Sequence, residues 1–208
     1  MSQSGATKAV GILISGRGSN MRALVQAAQA ADFPARIAVV IANKAEAEGL
    51  DYARAQGIAT AVIPSKGKSR EVFDGELDAA LRQHGVEIVC LAGFMRLLTA
   101  GFVESWRGRL LNIHPSLLPA FRGTQVHERV IESGARFTGC TVHFVVPEMD
   151  EGPIILQAAI AVPDDATPDT LAELVLTEEH RLYPLALRLL AEGRLRVEGN
   201  RVRHADGN

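Results

Sequence analysis

Asn112 and His114 are the residues best suited to chemistry in this chain. They lie two apart in Leu110-Leu111-Asn112-Ile113-His114-Pro115-Ser116-Leu117-Leu118-Pro119, an apolar run that ends in two prolines. If 110–114 is extended, alternate side chains share a face, so the amide and the imidazole project together. Pro115 has no N–H for a sheet ladder and disfavours helix at His114, so the strand stops there. An amide beside an imidazole at a strand's end makes a polar centre where a hydrogen-bond donor meets a group that titrates near neutrality. The same pair would also serve as the hydrogen-bonded cap of a core strand. Function in open sheets gathers at the carboxyl ends of strands, which is where the pair falls.

A second candidate is Gly16-Arg17-Gly18-Ser19-Asn20, between an apolar run and a helix-like stretch. Backbone N–H groups at a helix N-terminus point outward, and the helix dipole favours an anion there. Glycine lets the backbone approach a phosphate, and Ser19 and Asn20 add side-chain donors. The third glycine of a dinucleotide fingerprint would fall at Met21, and there is no Walker lysine. A phosphate monoester therefore fits better than NAD or ATP. An ordinary tight strand-to-helix turn would read the same way.

The elements that must position these residues alternate in type. Strands are expected at Ala9–Ile14, Arg36–Ala42, Thr60–Ile63, Val86–Ala92 and Leu110–His114, with helices at Met21–Ala31, Ala45–Gln56, Arg70–Gln83 and Val126–Ser133. Gly57 ends the second helix, and Thr99 caps a short one through Trp106. Near-continuous apolar strands between helices imply a parallel sheet covered on both faces. After Gly134 the pattern changes. Thr138–Val146 and Ile154–Val162 are joined by a connection too short for a helix, which makes them an antiparallel pair. Thr167–Glu192 is a long helix with Thr167 as cap and Pro168 at its first position. Leu195–Val202 forms a small hairpin around Glu198-Gly199-Asn200. The expected fold is a single α/β domain over 1–208, a Rossmann-like open sheet that is mostly parallel with an antiparallel C-terminal portion. Residues 1–8 are expected to be flexible and 194–208 to form a tail.

Bulk properties narrow the class. The 208 residues are 47% hydrophobic and 5% aromatic, enough for a sizeable aliphatic core. Lys and Arg total 22 against 24 for Asp and Glu, a net charge of −2 with no basic block, which argues against a nucleic-acid partner. Cys90 and Cys140 sit in apolar runs and read as buried free thiols in a reducing compartment. No apolar run reaches membrane-spanning length, and the N-terminus lacks a signal-peptide pattern, so a soluble cytoplasmic protein is expected. The other histidines (His84, His127, His143, His180 and His204) have no partners at metal-ligand spacing and read mostly as surface or structural. No metal is expected.

Three segments together resemble one family: Ile14-Ser15-Gly16-Arg17-Gly18-Ser19-Asn20, Leu91-Ala92-Gly93-Phe94-Met95-Arg96, and Asn112 to Pro119. They are similar to the phosphoribosylglycinamide formyltransferases, a branch of the formyl-folate transferase superfamily that acts in purine synthesis. The likeness runs from about Val10 to Pro184. It implies direct transfer of formyl from N10 of 10-formyltetrahydrofolate to the amine of glycinamide ribonucleotide, without a covalent enzyme intermediate or a metal. Carried over by motif, the catalytic residues are Asn112, His114 and Asp150, the last in Met149-Asp150-Glu151-Gly152-Pro153. Asn112 and a protonated His114 would donate to the oxyanion of a tetrahedral intermediate, and Asp150 would favour the charged imidazole. The ribonucleotide's phosphate maps to Gly18, Ser19 and Asn20, and its glycinamide end to Glu179. The folate pocket maps to Arg70, Met95, Arg96, Leu97, Leu98 and Asn112, and to Val146, Pro147, Glu148, Met149 and Asp150. Leu97 and Leu98 could equally be core, Arg70 a surface residue and Glu179 a solvated helical carboxylate. Leu176 departs from relatives with glutamine there, which puts one ribonucleotide contact in question.

Two rivals belong to the same superfamily. A methionyl-tRNA formyltransferase is expected to carry a further C-terminal domain and a basic face. A formyltetrahydrofolate deformylase is expected to carry an extra N-terminal domain. A rival of another kind is a nucleotide-binding module without catalysis, for which Asn112, His114 and Asp150 together would have no purpose. The expected partners are the two small-molecule substrates, with the chain as a monomer or homodimer.

Overall fold

The computed structural model describes residues 7–205. The segment expected to be flexible, 1–8, lies outside these except for its last two residues, and so does the end of the expected tail. Within them, nine strands form one continuous sheet in the order β3-β2-β1-β4-β5-β6-β7-β9-β8. The first five are β1 (Lys8–Ile14), β2 (Ala35–Ala42), β3 (Ala59–Val62), β4 (Ile88–Leu91) and β5 (Leu110–His114), all mutually parallel. β6 (Phe137–Phe144) and β7 (Ile154–Ala161) continue the sheet antiparallel, as the short connection between them requires. The C-terminal hairpin, β8 (Leu195–Glu198) and β9 (Arg201–His204), joins the same sheet through a single parallel bridge between Ile154 and Arg201.

Helices cover both faces because alternate strand residues feed two separate cores. Val10, Ile12, Ile14, Val40, Cys90, Leu111 and Ile113 pack with α1 (Ser19–Ala28), α2 (Gly49–Ala55) and α6 (Pro168–Ala191). Leu13, Val39, Ile41, Val89, Leu91 and Leu110 pack on the other side with α3 (Arg70–Gln83) and α4 (Ala100–Ser105). No member of this second cluster comes from β6 or β7. Loops complete that face there, and they carry the site. The remaining helix, α5 (Val126–Glu132), packs against α6 through a third small cluster.

The helix expected from Ala45 starts at Gly49 instead. Residues 45–48 favour helix by composition, but the Gly49 N–H must reach Gly16 O at 3.2 Å, and a Cβ there would meet Ile14 Cδ1 at 2.6 Å. This contact with the glycine loop overrides local propensity. Thr99 and Thr167 cap α4 and α6 as expected, accepting from Phe102 N and Thr170 N.

β1 has β2 on one side and β4 on the other, so the chain reverses its winding between β1 and β4. Ligands of open α/β sheets bind outside the carboxyl ends of strands at such a reversal. The glycine loop leaves β1 there, residues 93–98 leave β4, and His114 closes the neighbouring β5.

Candidate active site

Asn112 and His114 alternate with Leu111 and Ile113, which face the α1/α6 core, so both polar side chains turn to the opposite face. His114 is buried and has an acceptor at each ring nitrogen. Its Nε2 lies 2.9 Å from Phe121 O and its Nδ1 3.5 Å from Asp150 Oδ2. A carbonyl can only accept, so Nε2 carries a proton, and Nδ1 is the nitrogen facing the carboxylate. With one acceptor at each nitrogen, the surroundings complement an imidazolium.

Asp150 arrives from the 145–153 loop, which folds back over the strands. Its φ of 57° is left-handed backbone. Its Oδ2 accepts from Gly123 N at 2.8 Å, and Arg122 pairs with Glu151 beside it, so two rungs tie this loop to the one following His114. Gly152 permits the fold-back, since a Cβ there would lie 1.7 Å from Phe144 O. Phe121 also has a positive φ, 54°, and so does Gln125. Three strained non-glycine residues in the two loops around one histidine mark a geometry that the surrounding fold imposes.

Asn112 is oriented by a residue that the sequence reading grouped with the structural histidines. His143 lies directly across from it on β6, with Nε2 3.3 Å from Asn112 Nδ2. His143 Nδ1 donates to Phe144 O at 2.9 Å, which leaves Nε2 as an acceptor. Burial holds this imidazole below the usual histidine range, and so neutral at pH 7. One Asn112 amide hydrogen is thereby fixed and the other left for a ligand.

At the glycine loop, Gly18 has φ 70° and precedes α1 with no side-chain cap on the helix. A Cβ at Gly18 would meet Met21 Cε at 2.9 Å, so the close turn needs glycine. Asn20 does not simply face outward. Its Nδ2 donates to Glu179 Oε2 at 2.7 Å, and its Oδ1 is buried without a partner. Glu179 is itself only 7% exposed, not a solvated helical carboxylate. Burial pushes its carboxyl up to about 7, with the Asn20 hydrogen bond opposing. Leu176, one turn earlier on α6, is half-buried.

The expected folate wall is divided. Met95, Leu97 and Met149 are exposed apolar side chains at 76%, 59% and 55%. Leu98 packs against the α3/α4 core, and Arg70 is exposed at the start of α3. Arg96 lies over the Phe73 ring at 4.8 Å and donates to Lys68 O. Ser15 accepts from Met95 N at 2.8 Å, and buried Asp74 accepts from Thr99 N at 2.6 Å, so the 93–99 loop is held at both ends. Val146 is half-buried, while Pro147 and Glu148 are exposed with Met149. Among the described residues, no group of three His, Cys, Asp or Glu side chains is placed to hold a metal. No helix among them is long and apolar enough to cross a membrane.

The formyl transferase family model matches residues 8–187, nearly the whole sheet and all of these site segments. The chain belongs to the formyl transferase family. Phosphoribosylglycinamide formyltransferase of Escherichia coli is 44% identical, over 91% of this chain and 90% of that protein. The trifunctional purine biosynthetic protein adenosine-3 of Homo sapiens is 48% identical over 92% of this chain, which spans only 19% of that longer protein. The crystal structure of glycinamide ribonucleotide transformylase 1 from Symbiobacterium toebii superposes with a TM-score of 0.93 at 46% identity, covering 95% and 94% of the two chains.

In this member of the family, then, the β5 pair, Asp150 and the buried Asn20–Glu179 pair all gather at the carboxyl edge of the parallel strands. Thr141 and Gln157 also reach the site, through the loop after His114. No sequence signal singled them out, because their placement depends on the antiparallel register of β5, β6 and β7.

Proposed function

We propose that the protein transfers the formyl group of 10-formyltetrahydrofolate to the amine of glycinamide ribonucleotide. The observation that carries this is the Asn112–His114–Asp150 cluster, with an imidazole nitrogen 3.5 Å from a carboxylate at the switch-point end of the sheet. The substrate amine adds to the formyl carbon and forms a C–N bond, and the carbonyl π electrons move onto oxygen. The free Asn112 amide hydrogen and the His114 Nδ1–H donate to that oxyanion. Asp150 takes the proton released by the attacking amine and returns it to N10, and the C–N10 bond breaks as the carbonyl reforms. The products are the formylated ribonucleotide and tetrahydrofolate.

Gly18, Ser19 and Asn20 hold the phosphate, and Glu179 engages the glycinamide end of the ribonucleotide. The folate lies along the exposed Met95, Leu97 and Met149 with Arg70 and Arg96 at its rim, an apolar surface with few polar anchors. The enzyme works in the cytoplasm as a monomer or homodimer, without nucleic acid or membrane. Two buried free cysteines fit that compartment, and burial pushes the thiols of Cys90 and Cys140 up to about 12, where they are inert.

The test follows 10-formyltetrahydrofolate consumption with and without glycinamide ribonucleotide. Turnover that requires the ribonucleotide and yields its formylated product is expected. Consumption to the same extent without it would instead identify a deformylase.

A further inference from the structure

The register places three residues side by side on adjacent strands: His114 on β5 opposite Thr141 on β6, and Thr141 opposite Gln157 on β7. Residues directly opposite one another share a sheet face. Gln157 is exposed, yet its amide nitrogen makes two bonds, donating to Leu118 O at 3.0 Å and to Thr141 Oγ1 at 2.9 Å. Thr141 is fully buried. Its hydroxyl donates to Ser116 O at 2.7 Å and accepts from Leu118 N at 3.1 Å, so with Gln157 all its capacity is used. Ser116, also fully buried, donates to Ala120 O at 2.6 Å. These bonds fix the 116–120 loop, and the next residue is Phe121, whose carbonyl meets His114 Nε2.

We infer that Gln157 is a positioning residue: through Thr141 and the 116–121 loop it holds the Phe121 carbonyl against His114 Nε2, and so makes Nδ1 the nitrogen presented to Asp150 and the substrates. The carbonyl is the acceptor at Nε2 among the described residues, so its bond to Nε2–H keeps the ring turned with Nδ1–H toward Asp150 and the substrates. If the loop relaxes, that acceptor moves away and the ring is free to turn. The site then offers its donating nitrogen in the wrong place.

This rests on the formyl-transfer reading for its kinetic arm only. The test uses full-length protein carrying Gln157→Glu, which keeps the shape but loses both donors, and Gln157→Ala as a second variant. Histidine-labelled ¹⁵N spectra of unliganded protein, assigned with His114→Ala, report the Nε2–H hydrogen bond through its proton and nitrogen shifts without requiring activity. The wild type should show a His114 Nε2–H signal shifted by its bond to the Phe121 carbonyl, and both variants should lose that shift. In the transfer assay kcat should fall about 10- to 100-fold, a typical effect of misplacing a reacting group, with both KM values within about twofold and the melting temperature little changed. An unchanged Nε2–H signal in both variants overturns the inference, whatever the kinetics. A fall in kcat matched by an equal loss of folded protein also overturns it. Loss of that signal's shift in the variants of a protein whose wild type transfers no formyl group would support the inference and refute the transfer reading.

Discussion

Glu179 provides a quantitative test of the buried site, because its carboxylate is desolvated with a single hydrogen-bond donor. An unfolded glutamate ionises near 4.5, whereas in the fold burial raises this carboxyl to about 7. Between those values the unfolded chain has released a proton that the native state retains, so stability must fall as pH rises through this window. The gap, at about 1.4 kcal/mol per pH unit, amounts to about 3 kcal/mol, fully present below pH 4.5 and lost above pH 7. Glu179→Gln keeps the shape and removes the charge. Its amide oxygen can accept from Asn20 Nδ2, and its amide N–H suits Asn20 Oδ1, which is buried without a partner. The variant should therefore gain on the wild type by up to about 3 kcal/mol between pH 5 and 8. Urea unfolding across that range, at constant m-value, measures the difference directly. A wild type and variant whose stabilities run parallel from pH 5 to 8 would refute the reasoning. The variant should also bind glycinamide ribonucleotide more weakly, because the carboxylate is part of the proposed site.

Three further changes probe other parts of the structure. Asn112→Ala removes the proposed oxyanion donor, which His143 holds, and should lower kcat about 100- to 1000-fold while ribonucleotide binding, followed by calorimetry, changes little; a kcat within threefold of wild type would remove Asn112 from the proposed mechanism. Gly152→Ala drives a methyl into Phe144 O and must displace Asp150 two residues away, so kcat should fall by about 100-fold, with normal activity showing that the loop does not fold back as described. Tyr183→Phe deletes the hydroxyl that bonds Leu91 O and Leu111 O at 3.0 and 3.1 Å beneath the site, which should cost about 1 kcal/mol and lower the melting temperature by about 2–4 °C, and an unchanged melting temperature would contradict it.

The parallel half of the fold was legible because each strand is an apolar run and each helix repeats its apolar residues at helical spacing. Pro115 marked where β5 ends and which face carries Asn112 and His114. Asp150 had no such signal. It is one acid in a loop, and only the resemblance singled it out, because its placement depends on a left-handed residue and a glycine packed on Phe144 O. His143, Thr141 and Gln157 were harder still. Their roles follow from cross-strand register, which shifts between Val142 and His143 and cannot be counted along the chain. The hairpin after Gly193 was expected, but not its attachment to the sheet, which rests on the Ile154–Arg201 bridge between segments far apart in sequence.

The sheet also acts as a partition. Glu179 and the glycine loop belong to helices on one side of it, and Asn112, His114 and the exposed Met95 and Leu97 to the other, so they meet only at the rim. Under the proposed function, the ribonucleotide and the folate would enter from opposite sides, so they would not compete for one volume and neither would have to leave before the other arrives. The kinetics this implies are sequential, with either substrate free to bind first and reciprocal plots that intersect. Parallel plots, the sign of a formylated enzyme that outlives its donor, would mean that the partition does not separate the two substrates.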